Sequence, residues 1–95
     1  VSLCATNPAR IFGCAQKGSL TVGKDADIVV YDPEKKFTVS VSNMHSDYDH
    51  TIWEGKRFKG YPVKTYVRGK LVYDDGAFVG TPGYGEFVKR APQQY

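Results

Sequence analysis

Apolar positions change their period twice along this chain. Up to Gly13 they suit helix: Asn7 is a good N-cap, Pro8 fits the first helical position, and Gly13 can close the turn in a left-handed conformation. The spacing predicts a short helix over 9–12, with residues 1–5 forming the last turn of a preceding helix. After Gly18 the period shortens to that of strands. Residues 19–22 read as a short strand stopped by Gly23. Residues 26–31 hold Ile28, Val29 and Val30 in succession, a run that predicts a strand buried on both faces and ended by Pro33. Over 37–42 the alternation is clean, with Phe37, Val39 and Val41 on one face and Thr38, Ser40 and Ser42 on the other.

Residues 43–61 keep no period and read as a long loop with a helical turn near Ile52 and Trp53. Beyond it come three runs, 63–67, 70–74 and 77–79, joined by Arg68-Gly69 and Asp75-Gly76. Two-residue connections ending in Gly favour type I′ hairpins, and Asp-Gly is a strong instance. Arg is a poorer residue for positive φ, so the first connection carries the weaker signal. A three-stranded meander is expected. Pro82, Gly83 and Gly85 then interrupt the pattern. Tyr84, Phe87 and Val88 fall at i, i+3 and i+4, which predicts one amphipathic turn in a tail over 80–95. That apolar stripe exceeds what a free tail needs, and it is read as an oligomer contact.

The chain opens on Val1, and no basic stretch leads into an apolar core and cleavage site, so a piece of a longer chain is expected. No apolar run approaches the roughly 20 residues that span a bilayer. Cys4 and Cys14 are too few for a disulfide framework and form no C-x-x-C pair. Both lie in apolar helical surroundings, which predicts free, buried thiols in a reducing, cytoplasmic compartment.

The net charge of +3 is mild, but Lys56, Arg57, Lys59, Lys64, Arg68 and Lys70 follow one another with no acidic residue between Glu54 and Asp74. The run reads as the solvated face of a sheet. Aromatic residues interleave with it (Phe58, Tyr61, Tyr66), which leaves a phosphate or nucleic-acid footprint as a minor alternative.

Candidate chemistry is sparse. His45 and His50 stand five apart with Asp47 and Asp49 between them, a spacing that matches neither a helical ligand pair nor a zinc finger. Asp25 and Asp27 flank Ala26 at the approach to a strand, where turn-making carboxylates are common. Ser40 and Ser42 have no base placed by a recognisable motif. No Walker loop or dinucleotide fingerprint occurs, and Gly83-Tyr84-Gly85 follows no strand-to-helix transition. No catalytic, metal or substrate-binding residue is assigned.

Asn7-Pro8-Ala9-Arg10-Ile11-Phe12-Gly13, then Lys17-Gly18-Ser19-Leu20, then Gly23 through Pro33 with its Asp25-Ala26-Asp27, resembles the C-terminal region of the amidohydrolase superfamily. Asp47-Tyr48, Trp53-Glu54-Gly55, Gly60-Tyr61-Pro62-Val63, Val67-Arg68-Gly69-Lys70, Asp75-Gly76 and the segment 80–90 narrow the resemblance to dihydropyrimidinases and D-hydantoinases. One departure is Trp53, where the family commonly has Tyr before Glu-Gly.

The resemblance implies a mainly β fold: a small, composite β-sandwich-like domain with a short N-terminal helix, the C-terminal part of a (β/α)8-barrel amidohydrolase. Residues 1–13 would end the barrel's helical region, 14–80 form the small β domain, and 81–95 serve as an assembly tail. It also implies a parent enzyme that opens dihydropyrimidine or hydantoin rings to N-carbamoyl amino acids, using two zinc ions bridged by a carboxylated lysine to activate water. No family metal ligand maps onto His45 or His50, so the chain itself is expected to need no cofactor and to be inactive alone. Implied partners are the barrel and an N-terminal β segment of the same parent, and further copies in a homodimer or homotetramer. Neither membrane nor nucleic acid is expected. The rival reading is a non-catalytic dihydropyrimidinase-related interaction protein, which shares fold and assembly.

Overall fold

The computed structural model describes residues 1–92. A π-type turn, Ser2–Thr6, runs without a break into helix α1, Asn7–Ile11. Asn7 is therefore inside the helix rather than at its cap. Thr6 takes the cap position in helical conformation, and its hydroxyl donates instead to the Gly18 carbonyl at 2.8 Å. The chain then leaves α1 through Gly13 at φ +69°, the left-handed exit expected of glycine.

Four strands form one antiparallel sheet in the order β1-β2-β3-β4: Ile28–Thr38, Arg57–Val67, Lys70–Asp74 and Ala77–Phe78. The mainly β fold with a short N-terminal helix is as expected. Several boundaries are not. Residues 19–22 form bends and a turn rather than a strand, and Val22 is fully exposed. Among the described residues no strand pairs with this segment, so its alternation has no partner.

Pro33 does not end β1. The pairing passes from Asp32↔Tyr61 to Lys36↔Lys59, so Pro33, Glu34 and Lys35 loop out as a bulge and the strand resumes. A bulge on an edge strand is where a residue without an N–H can sit. The Glu34 N–H donates to Asp32 Oδ1 at 2.9 Å and fixes the bulge. As an edge strand β1 is also not buried on both faces: Val29 and Val30 are 58% and 42% exposed.

Phe37 and Thr38 finish β1, but Val39 and Ser40 leave it and Val41–Asn43 is a 3-10 turn, so the predicted strand over 37–42 is cut short. Its face assignment survives in part. Val39 is 5% exposed, the one buried hydrophobic side chain among the described residues. The 3-10 turn diverts the backbone because the Ser40 N–H donates to Asn43 Oδ1 at 2.9 Å and Asn43 Nδ2 donates back to the Thr38 carbonyl at 2.8 Å. The long loop also ends sooner than predicted, since β2 starts at Arg57. A turn at 52–55 does lie near Ile52 and Trp53.

The meander is as predicted. Arg68 and Gly69 take φ +47° and +79°, and Asp75 and Gly76 take +44° and +96°, positive at both central positions as type I′ turns require. The predicted amphipathic turn in the tail is absent: residues 84–92 are irregular. The tail is also not detached. The Ala91 N–H donates to the Gly13 carbonyl at 2.9 Å, which ties it to the end of the helical segment. The last three residues of the predicted tail lie outside the described residues.

Candidate functional site

Two places in the fold gather side chains of different elements. The first is polar. Lys17, on the loop after α1, reaches both carboxylates that flank Ala26: its Nζ lies 2.9 Å from Asp25 Oδ2 and 2.5 Å from Asp27 Oδ2. The other Asp27 oxygen accepts the Arg68 backbone N–H at 2.9 Å, and the Gly69 N–H donates to the Ala26 carbonyl at 2.9 Å. Asp27 is held below the usual carboxylate range, first by Lys17 and then by the Arg68 N–H. Lys17 is raised in turn, by Asp27 and then Asp25. The two carboxylates are thus committed to one lysine and a backbone donor. The arrangement ties the loop after α1 to the β2–β3 turn.

Beyond that turn the Arg68 side chain lies over the Tyr84 ring, its Cζ 4.2 Å from the centroid, and its Nη2 donates to the Tyr84 carbonyl. The Tyr84 hydroxyl donates to the Val67 carbonyl at 2.9 Å. Sequence reasoning placed Tyr84 on an oligomer stripe and missed this partner. The signal was present in Arg68-Gly69, since an arginine at a position suited to Asn or Asp implies that its side chain has other contacts.

The second place is apolar. Phe37, Val39, Met44, Trp53, Phe58 and Tyr61 line an open groove of about 460 Å³ on one face of the sheet. Phe37 and Phe58 are direct cross-strand partners, and Phe37 stacks on Tyr61 with centroids 3.8 Å apart. Lys56 extends over Trp53 and Phe58, at 4.8 and 5.4 Å from their centroids. Burial raises the Tyr61 hydroxyl. A groove with this mostly aromatic and aliphatic lining can hold apolar side chains.

The other sequence candidates scatter. His45 meets the edge of Tyr73 at 5.8 Å, whereas His50 pairs with Asp49 at 2.9 Å on an exposed loop. Among the described residues no group of three His, Cys, Asp or Glu side chains could hold a metal ion, so the implied zinc pair has no donor set here. Ser40 and Ser42 hydroxyls face each other at 2.8 Å. The basic run is largely engaged within the chain: Lys59 with Glu34 at 2.8 Å, Lys64 with Asp74 at 2.8 Å, and Lys70 with the Thr81 hydroxyl at 3.2 Å. Both thiols are free as expected, but neither is buried, with Cys4 exposed and Cys14 intermediate. Cys4 lies in the π-type turn, which buries no residue, and Cys14 lies beyond the end of α1, on the loop that follows it rather than in a helix. Of the tail stripe, Phe87 is 93% exposed and Val88 partly so. Among the described residues no helix is long and apolar enough to cross a membrane.

Known proteins of similar sequence and shape fit this geometry. D-hydantoinase of Ralstonia pickettii is 45% identical over 91 residues, which are 95% of this chain and 20% of that protein. Dihydropyrimidinase of Rattus norvegicus is 42% identical over 93 residues, 97% of this chain and 18% of that one. The solved D-hydantoinase from Thermus sp. superposes with a TM-score of 0.88 at 41% identity, over 96% of this chain and 20% of that chain. The chain thus spans about a fifth of the length of the curated relatives it matches. A profile of the Amidohydrolase family matches residues 1–73, from the first helical turn into β3, and the chain belongs to that family.

Proposed function

We propose that this chain is the C-terminal region of a metal-dependent cyclic amidohydrolase, one that opens dihydropyrimidine or hydantoin rings to N-carbamoyl amino acids. Its own part is scaffold and subunit contact. The observation that carries the reading is 45% identity to a D-hydantoinase, sustained over 91 residues and therefore through helix, sheet and tail alike. Among the described residues no three metal-ligating side chains come together, and in this reading the metals and the reacting atoms belong to the remainder of a longer chain. What these residues do is hold position: Lys17 and Asp27 fix the β2–β3 turn, and the aromatic groove offers an apolar seat.

The exposed surface supports a partner of this size. It totals 7742 Å², whereas a compact monomer of this mass would expose roughly 5,500 Å². The excess, about 2,000 Å², is the area of a standard to large protein interface. In the assembled enzyme Phe87 and Val88 are the tail residues free to meet a second subunit, Tyr84 being engaged by Arg68. Free Cys4 and Cys14 fit a reducing cytoplasm.

The test compares the parent enzyme with this chain. The zinc-loaded parent should hydrolyse dihydrouracil or hydantoin, while the 95-residue chain should not, with or without added zinc. Turnover by the chain alone, lost on changing His45 and His50, overturns the scaffold role. A metal-loaded parent inert towards both rings overturns the enzymatic one.

A further inference from the structure

The segment after β4 crosses the sheet's end and returns to the helical segment, tied at four successive points. Thr81 Oγ1 accepts a bond from Lys70 Nζ at 3.2 Å. Tyr84 lies beneath two cations, Arg68 Cζ at 4.2 Å and Lys70 Nζ at 4.8 Å from its ring centroid, with its hydroxyl on the Val67 carbonyl. Glu86 lies 3.8 Å from Arg68 Nη2. The Ala91 N–H reaches the Gly13 carbonyl. Three of these four ties lead to the β2–β3 turn and its flanks, and the fourth leads to the end of α1. The same turn is held on its other side by Asp27, which Lys17 anchors to the loop after α1.

We propose that residues 81–91 form a strap clasped by Arg68, and that strap, β2–β3 turn and helical segment dock and release as one unit. The inference is independent of the enzymatic reading. The geometry explains an otherwise costly choice. Arg68 holds φ +47°, a region glycine or asparagine occupies with less strain, yet only a long cation there can cover the Tyr84 ring and bond its carbonyl together. Charge-assisted hydrogen bonds and cation–π contact are the stronger polar interactions open to a partly exposed site. The turn strain is thereby coupled to strap docking.

Arg68→Gly separates the two roles. Glycine keeps the left-handed turn, and its backbone N–H can still reach Asp27, so only the clasp is lost. Amide exchange at Ala91 in the full chain should accelerate by about tenfold or more, the loss of one charge-assisted contact. Amides of Thr65 and Tyr73, paired with each other within the β2–β3 ladder, should keep their rates. Tyr84→Leu should also accelerate exchange, through loss of the ring contacts and of the hydroxyl bond to Val67. The double variant should fall short of additivity, because the Arg68–ring contact is removed by both. An unchanged Ala91 rate in Arg68→Gly overturns the clasp. So does additivity in the double variant, or an Ala91 amide that exchanges at the rate of an open chain in the unsubstituted protein.

Discussion

Asp27 accepts two donors of different kinds, an ammonium and a backbone N–H, and that pairing gives one carboxylate a role across three segments. Its pKa is depressed in the fold by Lys17 and the Arg68 N–H. The sign follows by linkage. A depressed carboxylate contributes stability that is fully present above its unfolded pKa and is lost as pH falls through the folded value. The chain should therefore melt at lower temperature as pH drops below about 4, where unperturbed carboxylates protonate. Asp27→Asn should melt lower than the unsubstituted chain at neutral pH and lose less between pH 5 and pH 3. Parallel melting curves for the two proteins across that range would assign the acid sensitivity elsewhere. The exposed Lys35–Asp75 pair, which lowers Asp75 and raises Lys35, adds to the same trend in smaller measure because solvent screens it.

At the scale of elements the turns govern what is legible in the sequence. Gly76 sits at φ +96° in the β3–β4 hairpin, where a β-branched side chain is strained. Gly76→Val should cost about 1–3 kcal/mol, read as a lowered melting temperature with the meander's circular dichroism retained at low temperature. An unshifted melt would mean the hairpin rearranges without penalty. Asp75-Gly76 and Arg68-Gly69 announced the meander because their backbone requirement is local. The bulge at Pro33 was not legible, since it depends on β2 continuing alongside from Arg57, and nothing near Pro33 records that. The segment 19–22 misled for the converse reason: strand-like alternation without a neighbour yields only bends. The Arg68–Tyr84 clasp spans sixteen positions and joins two segments whose local patterns are unrelated, so the stripe at 84, 87 and 88 suggested a helical face that does not form. The family relationship, by contrast, was legible residue by residue, because the Asn-Pro-Ala, Lys-Gly and Asp-Ala-Asp strings serve local turns and their anchors.

The whole molecule is more open than its length requires. Its radius of gyration is 15.7 Å, against about 12 Å for a compact domain of this size. A single sheet without a covering layer accounts for the difference, since its apolar face meets solvent at the Trp53–Phe58 groove and along β1. As an edge strand β1 also presents unpaired backbone groups beside exposed Val29, Val30 and Tyr31. Natural sheets protect such an edge with charge, proline or a covering element. Here the bulge at Pro33 and Lys35 interrupts the second half of the strand and leaves the first half open. The isolated chain should accordingly self-associate through residues 28–31, with β1 of one copy alongside β1 of another. Sedimentation at about 100 μM, where even weak contacts of several kcal/mol populate dimers, should show dimers or larger species. Val30→Lys places a charge in that edge and should return the chain to monomer without lowering its melting temperature, because Val30 is half-exposed and leaves no cavity. A monomeric unsubstituted chain at that concentration would show that the bulge alone protects the edge. Self-association unaffected by Val30→Lys would move the contact to the aromatic groove.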